Sequence, residues 1–242
     1  MNLVDYMTLE TYENKTLDNK PLIYRAYVPK EKQDKYRVFI FLHGAGERGN
    51  DGAFHITPNA DIIKRVINHP IYGKNTICIA PQVPANESWM PMEKIYSGEY
   101  DFDKNEKTPL QAIFNDFIEN ELPRKYNIDE DHIYIGGLSM GASGAIDYLM
   151  RYPNKFAASV LICGIMDLNK LDTIRHIPMW LFHSKDDTTV SPHAYIKGAK
   201  MLKEMGANIR FTLYEDAGHP SWRRAFLVDD LIDWLFSHTR QQ

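Results

Sequence analysis

The stretch "IYIGGLSMGASGAIDYLM", Ile133 to Met150, sets a serine between two glycines where an apolar, β-branched run passes into a helical pattern. Gly137-Leu138-Ser139-Met140-Gly141 spells GxSxG, with a strand expected before it and a helix after it. Five residues of such a pattern carry little information alone; the strand–turn–helix context is what gives them weight. A nucleophile elbow turns so sharply that its serine sits in a strained backbone conformation, and the residues two away on either side must lack bulk. Ala142, Ser143 and Gly144 then let the first helical turn lie close to neighbouring strands. That helix would aim its N-terminal N–H groups at the serine, favouring negative charge there. The competing reading is a Gly-rich turn with an incidental serine.

Working outward, apolar runs that read as buried strands recur at 37–42, 76–81, 132–137, 158–163, 178–183 and 209–214. Helical patterns separate them at 59–68, 109–126, 139–152, 192–205 and 221–236. In the last, Phe226, Leu227, Leu231, Trp234 and Leu235 fall on one face. Strand alternating with helix predicts an α/β fold: a mostly parallel central sheet with helices on both faces. The segments 6–14 and 21–29 predict an antiparallel hairpin at its N-terminal edge. No repeat or linker interrupts the pattern, so residues 1–242 are expected to form a single domain. In such sheets chemistry gathers in the loops at the carboxyl ends of the strands.

Composition narrows the function. The net charge is -4 and no run of Lys or Arg exceeds two, which argues against a nucleic-acid partner. No apolar run approaches the length of a membrane span, and the first residues carry no secretory signal pattern. Cys78 and Cys163 lie inside apolar runs and read as small buried thiols, which suits a reducing, cytoplasmic compartment.

A serine hydroxyl needs a general base, and the base needs an orienting group. In an elbow of this kind the chain order is Ser, then acid, then His. Of the downstream histidines only His219 lies in a turn-rich loop, "EDAGHPSW", between a strand and a helix. His183 closes a strand and reads as structural. The loop "SKDDTTVSP" offers Asp186 and Asp187, and spacing alone does not choose between them. One oxyanion donor should be the N–H of Met140, the residue after the nucleophile; the other should come from the loop His43 to Gly49. That loop also spells GxGxxG, but its next helical pattern starts only near Pro58 and "TICIAP" ends without an acid, so a dinucleotide site is disfavoured.

"FLHGAGERG", "APQ" followed by Trp89, "GLSMGASG", "HSKDDTTV" and "GHPSW" together resemble the esterase branch of the α/β-hydrolases. The set is similar to the predicted-peptidase/carboxylesterase group, near acyl-protein thioesterases, dienelactone hydrolases and feruloyl esterases, over about Tyr36 to His238. The resemblance implies the α/β-hydrolase fold. The family's acid follows the strand-end histidine by four residues, which favours Asp187 over Asp186, and its first oxyanion N–H falls on Ala45. Ala142 stands where the family often has a second glycine, and Ser184 replaces a common glycine.

The reading is a serine hydrolase of small-molecule carboxylic esters, of short-chain or aromatic acyl type. Ser139 is the expected nucleophile, His219 the base and Asp187 its orienting acid, with Ala45 and Met140 as oxyanion donors. No metal or organic cofactor is expected. A serine peptidase or a thioesterase would use the same machinery; a non-catalytic binding protein of this fold is the reading from another class. The long connection 84–109 carries Trp89, Met90, Met92, Tyr96, Tyr100 and Phe102. It reads either as a pocket wall or partial lid, with Trp89 touching substrate, or as a loop packed on itself; Trp222, three residues after His219, either lines the pocket or anchors the last helix.

Overall fold

Side chains along Tyr36–Leu42 alternate between two cores: Val38, Ile40 and Leu42 enter one, Phe39 and Phe41 the other. A strand apolar on both sides needs a covering layer on each. The computed structural model, which describes residues 1–17, 21–97 and 100–240, supplies both layers. Strands β1 (Thr8–Tyr12), β2 (Leu22–Tyr27), β3 (Tyr36–Leu42), β4 (Thr76–Gln82), β5 (Ile128–Leu138), β6 (Ala158–Ile162), β7 (Met179–Ser184) and β8 (Ile209–Tyr214) form one sheet. Their order is β1-β2-β4-β3-β5-β6-β7-β8. From β4 onward neighbours run parallel, while β1 pairs antiparallel with β2 and β2 with β4. This is the mostly parallel α/β sheet that the strand–helix alternation predicted, with its antiparallel edge, and it is the arrangement the α/β-hydrolase resemblance implied.

Helices Pro109–Asp116, Met140–Arg151 and His193–Glu204 cover one face through Ile113, Phe114, Ala142, Ala145, Tyr195 and Leu202. Asp61–Asn68 and Leu231–Phe236 cover the other through Ile62, Val66, Leu231 and Trp234.

Two helices differ from the sequence pattern. The run 109–126 opens on a Thr108–Gln111 capping box but widens into a π-helical turn at Phe117–Glu121. Pro123 lies just beyond, where its missing N–H and its ring disfavour regular helix. The closing run splits into Trp222–Ala225 and Leu231–Phe236, and Leu227, expected on the buried face, is 76% exposed.

The described residues of 84–109 include a helix at Met92–Ser97 and a short turn at Phe102–Lys104. The Tyr100 hydroxyl donates to Asp147, a fully buried acid on the helix after Ser139. Gln111 donates to the same carboxylate, and Arg151 pairs with it at 2.8 Å. The Phe102 N–H donates to Asp167 at 2.8 Å, and the Arg151 guanidinium lies over the Phe102 ring. A buried carboxylate is tolerated only when paired and hydrogen-bonded like this. The side chains of Met92 and Tyr96 lie outside the described residues.

Candidate active site

Ser139 joins β5 to the helix Met140–Arg151 with φ 51 and ψ -118. A non-glycine residue there stores roughly 1–3 kcal/mol of backbone strain, so its surroundings must hold it. Two close approaches do so. A Cβ on Gly141 would lie 2.0 Å from the Leu42 carbonyl oxygen, and one on Gly137 would lie 2.5 Å from the Gly141 backbone. The small residues of the sequence therefore serve backbone approach. The Ser139 N–H is tied to the Ile162 carbonyl at 2.8 Å, and the residue is buried, only 8% exposed.

Three strand-end loops meet at this serine. His219 follows β8, and its Nε2 lies 3.0 Å from Ser139 Oγ. Its Nδ1 lies 2.8 Å from Asp187 Oδ2, in the loop after β7. With Nδ1–H donating to the carboxylate, Nε2 is free to accept the serine's proton. The other oxygen of Asp187 accepts the N–H groups of Thr189 and Val190, each at 2.9 Å. Burial pushes the Asp187 carboxyl pKa up; the bonds from His219 and the two backbone N–H groups outweigh it, and the group ends below the usual aspartate range.

Asp186 has a different job. Its Oδ1 accepts the Ser184 hydroxyl at 2.5 Å and the Gly218 N–H at 2.8 Å, so it fastens the loop that carries His219. The alternative that spacing left open is thus separated by partners: Asp187 meets the imidazole, Asp186 meets its loop.

Met140 and Ala45 each open a helical turn, where N–H groups lack an intrahelical acceptor. The orientation of the Ala45 N–H is fixed from behind. His43 is buried; its Nδ1 lies 2.7 Å from the Gly44 carbonyl, and its Nε2 accepts the Val83 N–H at 2.9 Å. In a trans peptide the C=O and the following N–H point opposite ways. With the Gly44 carbonyl turned to His43, the Ala45 N–H faces away from it. Burial, then the neighbouring His55, press the His43 pKa down to about 3, so the ring is neutral and can both donate and accept. Arg48 Nε donates to the Ala45 carbonyl at 2.9 Å and its Nη1 reaches Glu87 of the 84–109 segment.

The two tryptophans part company. Trp222 is half-buried, its ring edge-to-face with His219 at 5.5 Å, and its Nε1 donates to Asn59 at 3.0 Å. Trp89 is 1% exposed, its ring tilted against Phe114 at 5.1 Å, and it is pressed on Gly144, where a Cβ would lie 2.3 Å from its own. Trp89, expected to touch substrate, is instead core against the helix Met140–Arg151. The sequence reading also passed over Asn59 and Glu47. Glu47 is 6% exposed and accepts from the Asn59 amide, linking the loop after β3 through Asn59 to Trp222. A charged residue amid the glycines of "GAGERG" was the only signal.

The fold and this strand-end constellation define an α/β-hydrolase of the esterase type. Residues 24–235 match the phospholipase/carboxylesterase family, and the chain belongs to it, a family of carboxylic ester hydrolases. The chain is 26% identical to acyl-protein thioesterase 1 of Neurospora crassa over 208 residues, 74% of this chain and 78% of that one. It is 23% identical to a probable carboxylesterase of Oryza sativa subsp. japonica over 83% of this chain and 86% of that one. Among solved structures, a thermostable esterase superposes with a TM-score of 0.86 at 34% identity, covering 98% of this chain. This chain spans 64% of that esterase's length.

Proposed function

We propose that this chain hydrolyses small-molecule carboxylic esters through an acyl-enzyme on Ser139. Ser139 Oγ attacks the acyl carbon as His219 Nε2 takes its proton, and the Asp187 carboxylate stabilises the imidazolium that forms. The N–H groups of Ala45 and Met140 receive the developing oxyanion. His219 returns the proton to the leaving alkoxide, and a water activated by the same ring releases the acid. The observation that carries this reading is the unbroken Asp187–His219–Ser139 relay, at 2.8 and 3.0 Å.

Support for an ester over a peptide comes from the names of the relatives, carboxylesterase and acyl-protein thioesterase. Trp222, beside the base, is the aromatic wall the acyl or alcohol group would meet. We read the chain as one domain acting in the cytoplasm. Two unpaired, buried thiols suit a reducing compartment, and no helix among the described residues is long and apolar enough to cross a membrane.

The test is turnover of p-nitrophenyl acetate, butyrate and an aromatic acyl ester by the parent and Ser139→Ala. The variant should fold and lose about three orders of magnitude or more in rate. Residual activity within about tenfold of the parent would remove Ser139 from the role.

A further inference from the structure

Cys163 is the residue that hydrolysis leaves without a task. It follows β6 with φ 48, a left-handed conformation that side chains rarely adopt, and its N–H is tied to the Phe182 carbonyl at 2.9 Å. Its Sγ, a carboxylate oxygen of Asp187 and a ring nitrogen of His219 all lie within 4.8 Å of one another. Thiol, carboxylate and imidazole are the donor set that zinc-group ions prefer.

We propose that Cys163, Asp187 and His219 form an inhibitory site for a soft divalent cation, Zn²⁺ or its analogue Cd²⁺. A tetrahedral ion with bonds of about 2.0–2.3 Å needs its donor atoms roughly 3.3–3.7 Å apart, so no pair of donors has to close by more than about 1.5 Å. The His219 side chain is 18% exposed and gives the ion its way in. Burial keeps the Cys163 thiol protonated in the free enzyme. Coordination forms the metal–sulfur bond and releases that proton to solvent. Thiolate and the Asp187 carboxylate then balance the ion's two positive charges, and a water or the Ser139 hydroxyl fills the fourth position. Either ring nitrogen of His219 that the ion takes is one the proton relay needs: Nδ1 faces Asp187 and Nε2 faces Ser139. Binding and turnover therefore exclude each other.

The inhibitory consequence rests on the triad reading; the binding itself does not, so the two are measured separately. Cd²⁺ is titrated into chelator-treated enzyme while the ultraviolet thiolate-to-metal charge-transfer band and p-nitrophenyl acetate hydrolysis are followed. The parent should gain the band and lose activity over the same concentration range, both reversed by chelator. Cys163→Ala should lose the band and weaken the apparent affinity by at least about tenfold. It is scored by the ratio of its rates with and without ion, which is independent of its own basal rate. Should that variant fail to fold, Cys163→Gly accepts the positive φ and serves in its place.

Absence of the band in the parent overturns the site. So does a band that persists in the Cys163 variant, which places the thiolate at Cys78, or inhibition that survives there, which places the ion elsewhere. A Cys163-dependent band with undiminished hydrolysis overturns the inhibitory role and leaves His219 outside the ligand set. An enzyme with the band but no hydrolysis before ion is added indicts the triad reading instead.

Discussion

Replacing Ala45 by proline would remove one hydrogen and almost nothing else. Ala45 is the first residue of its turn, a position where proline's fixed φ is already suited. Gly44 before it has φ -78 and ψ 176, the extended backbone that a residue preceding proline adopts. The Ala45 carbonyl keeps its bond from Arg48, and the Gly44 carbonyl keeps His43. What disappears is the N–H assigned to the oxyanion. Loss of one such donor costs about 10²–10³ in kcat, or ~2.7–4 kcal/mol of transition-state stabilisation. Because the bond tightens only as charge develops, kcat and kcat/KM should fall together while KM holds within about threefold. Stability should not fall, since a compatible proline contributes about 0.4–1 kcal/mol by restricting the unfolded chain. Steady-state hydrolysis of p-nitrophenyl acetate and a thermal melt on one preparation give all these quantities. A kcat within about fivefold of the parent in Ala45→Pro that melts normally would refute the donor assignment, and with it the orienting part given to His43.

The acid pair offers a cleaner contrast. Asp187→Asn should cut kcat by about 10³–10⁴ through the wrong imidazole tautomer. Asp186→Asn still presents an oxygen to the Gly218 N–H and should stay within about tenfold of the parent; the opposite ranking would exchange the two roles. Trp89→Ala should cost ~3–5 kcal/mol, lowering Tm by about 2–4 °C for each. Its relative rates on acetyl, butyryl and aromatic esters should hold within about twofold, and a larger change in those ratios would return Trp89 to the pocket. Acid should weaken the fold early. His43 and His55 are depressed by burial to about 3 and about 4, below the ordinary 6.5, so as pH falls the unfolded chain takes up their protons first. Their stabilising contribution is full above about pH 6.5 and shrinks toward pH 4, by up to ~1.4 kcal/mol per pH unit for each ring. Urea midpoints between pH 7 and 4.5 measure it, and His55→Gln should flatten the slope; midpoints that do not move would deny that the rings are buried neutral.

Much of this was legible because it repeats. Six apolar runs separated by helical periods imply a parallel sheet, and GxSxG at the end of one of them locates the turn. His219 stood out as the histidine lodged among turn residues. The choice between Asp186 and Asp187 was not in the spacing, because both can reach; it lies in which backbone N–H groups each oxygen meets, and that needs three dimensions. Trp89 misled for a related reason. One large ring in an aperiodic connection carries no face, and its burial depends on Gly144, far along the chain. The break before Leu231 hides because Val228-Asp229-Asp230 leaves the apolar spacing intact while its backbone departs from the helix. Cys163 looked like filler since only the fold brings the end of β6 to the loops that follow β7 and β8.

The anchoring of the 84–109 segment bears on how it tolerates substitution. One end is sunk into the core at Trp89, the other is moored at Tyr100 and Phe102 to the acids Asp147 and Asp167. The attachment points sit on the helix that follows Ser139 and on the stretch after β6, and neither belongs to the reacting groups. Substitutions within the segment that spare both moorings should therefore leave the spacing of Ser139, His219 and Asp187 in place, because neither mooring runs through those three residues.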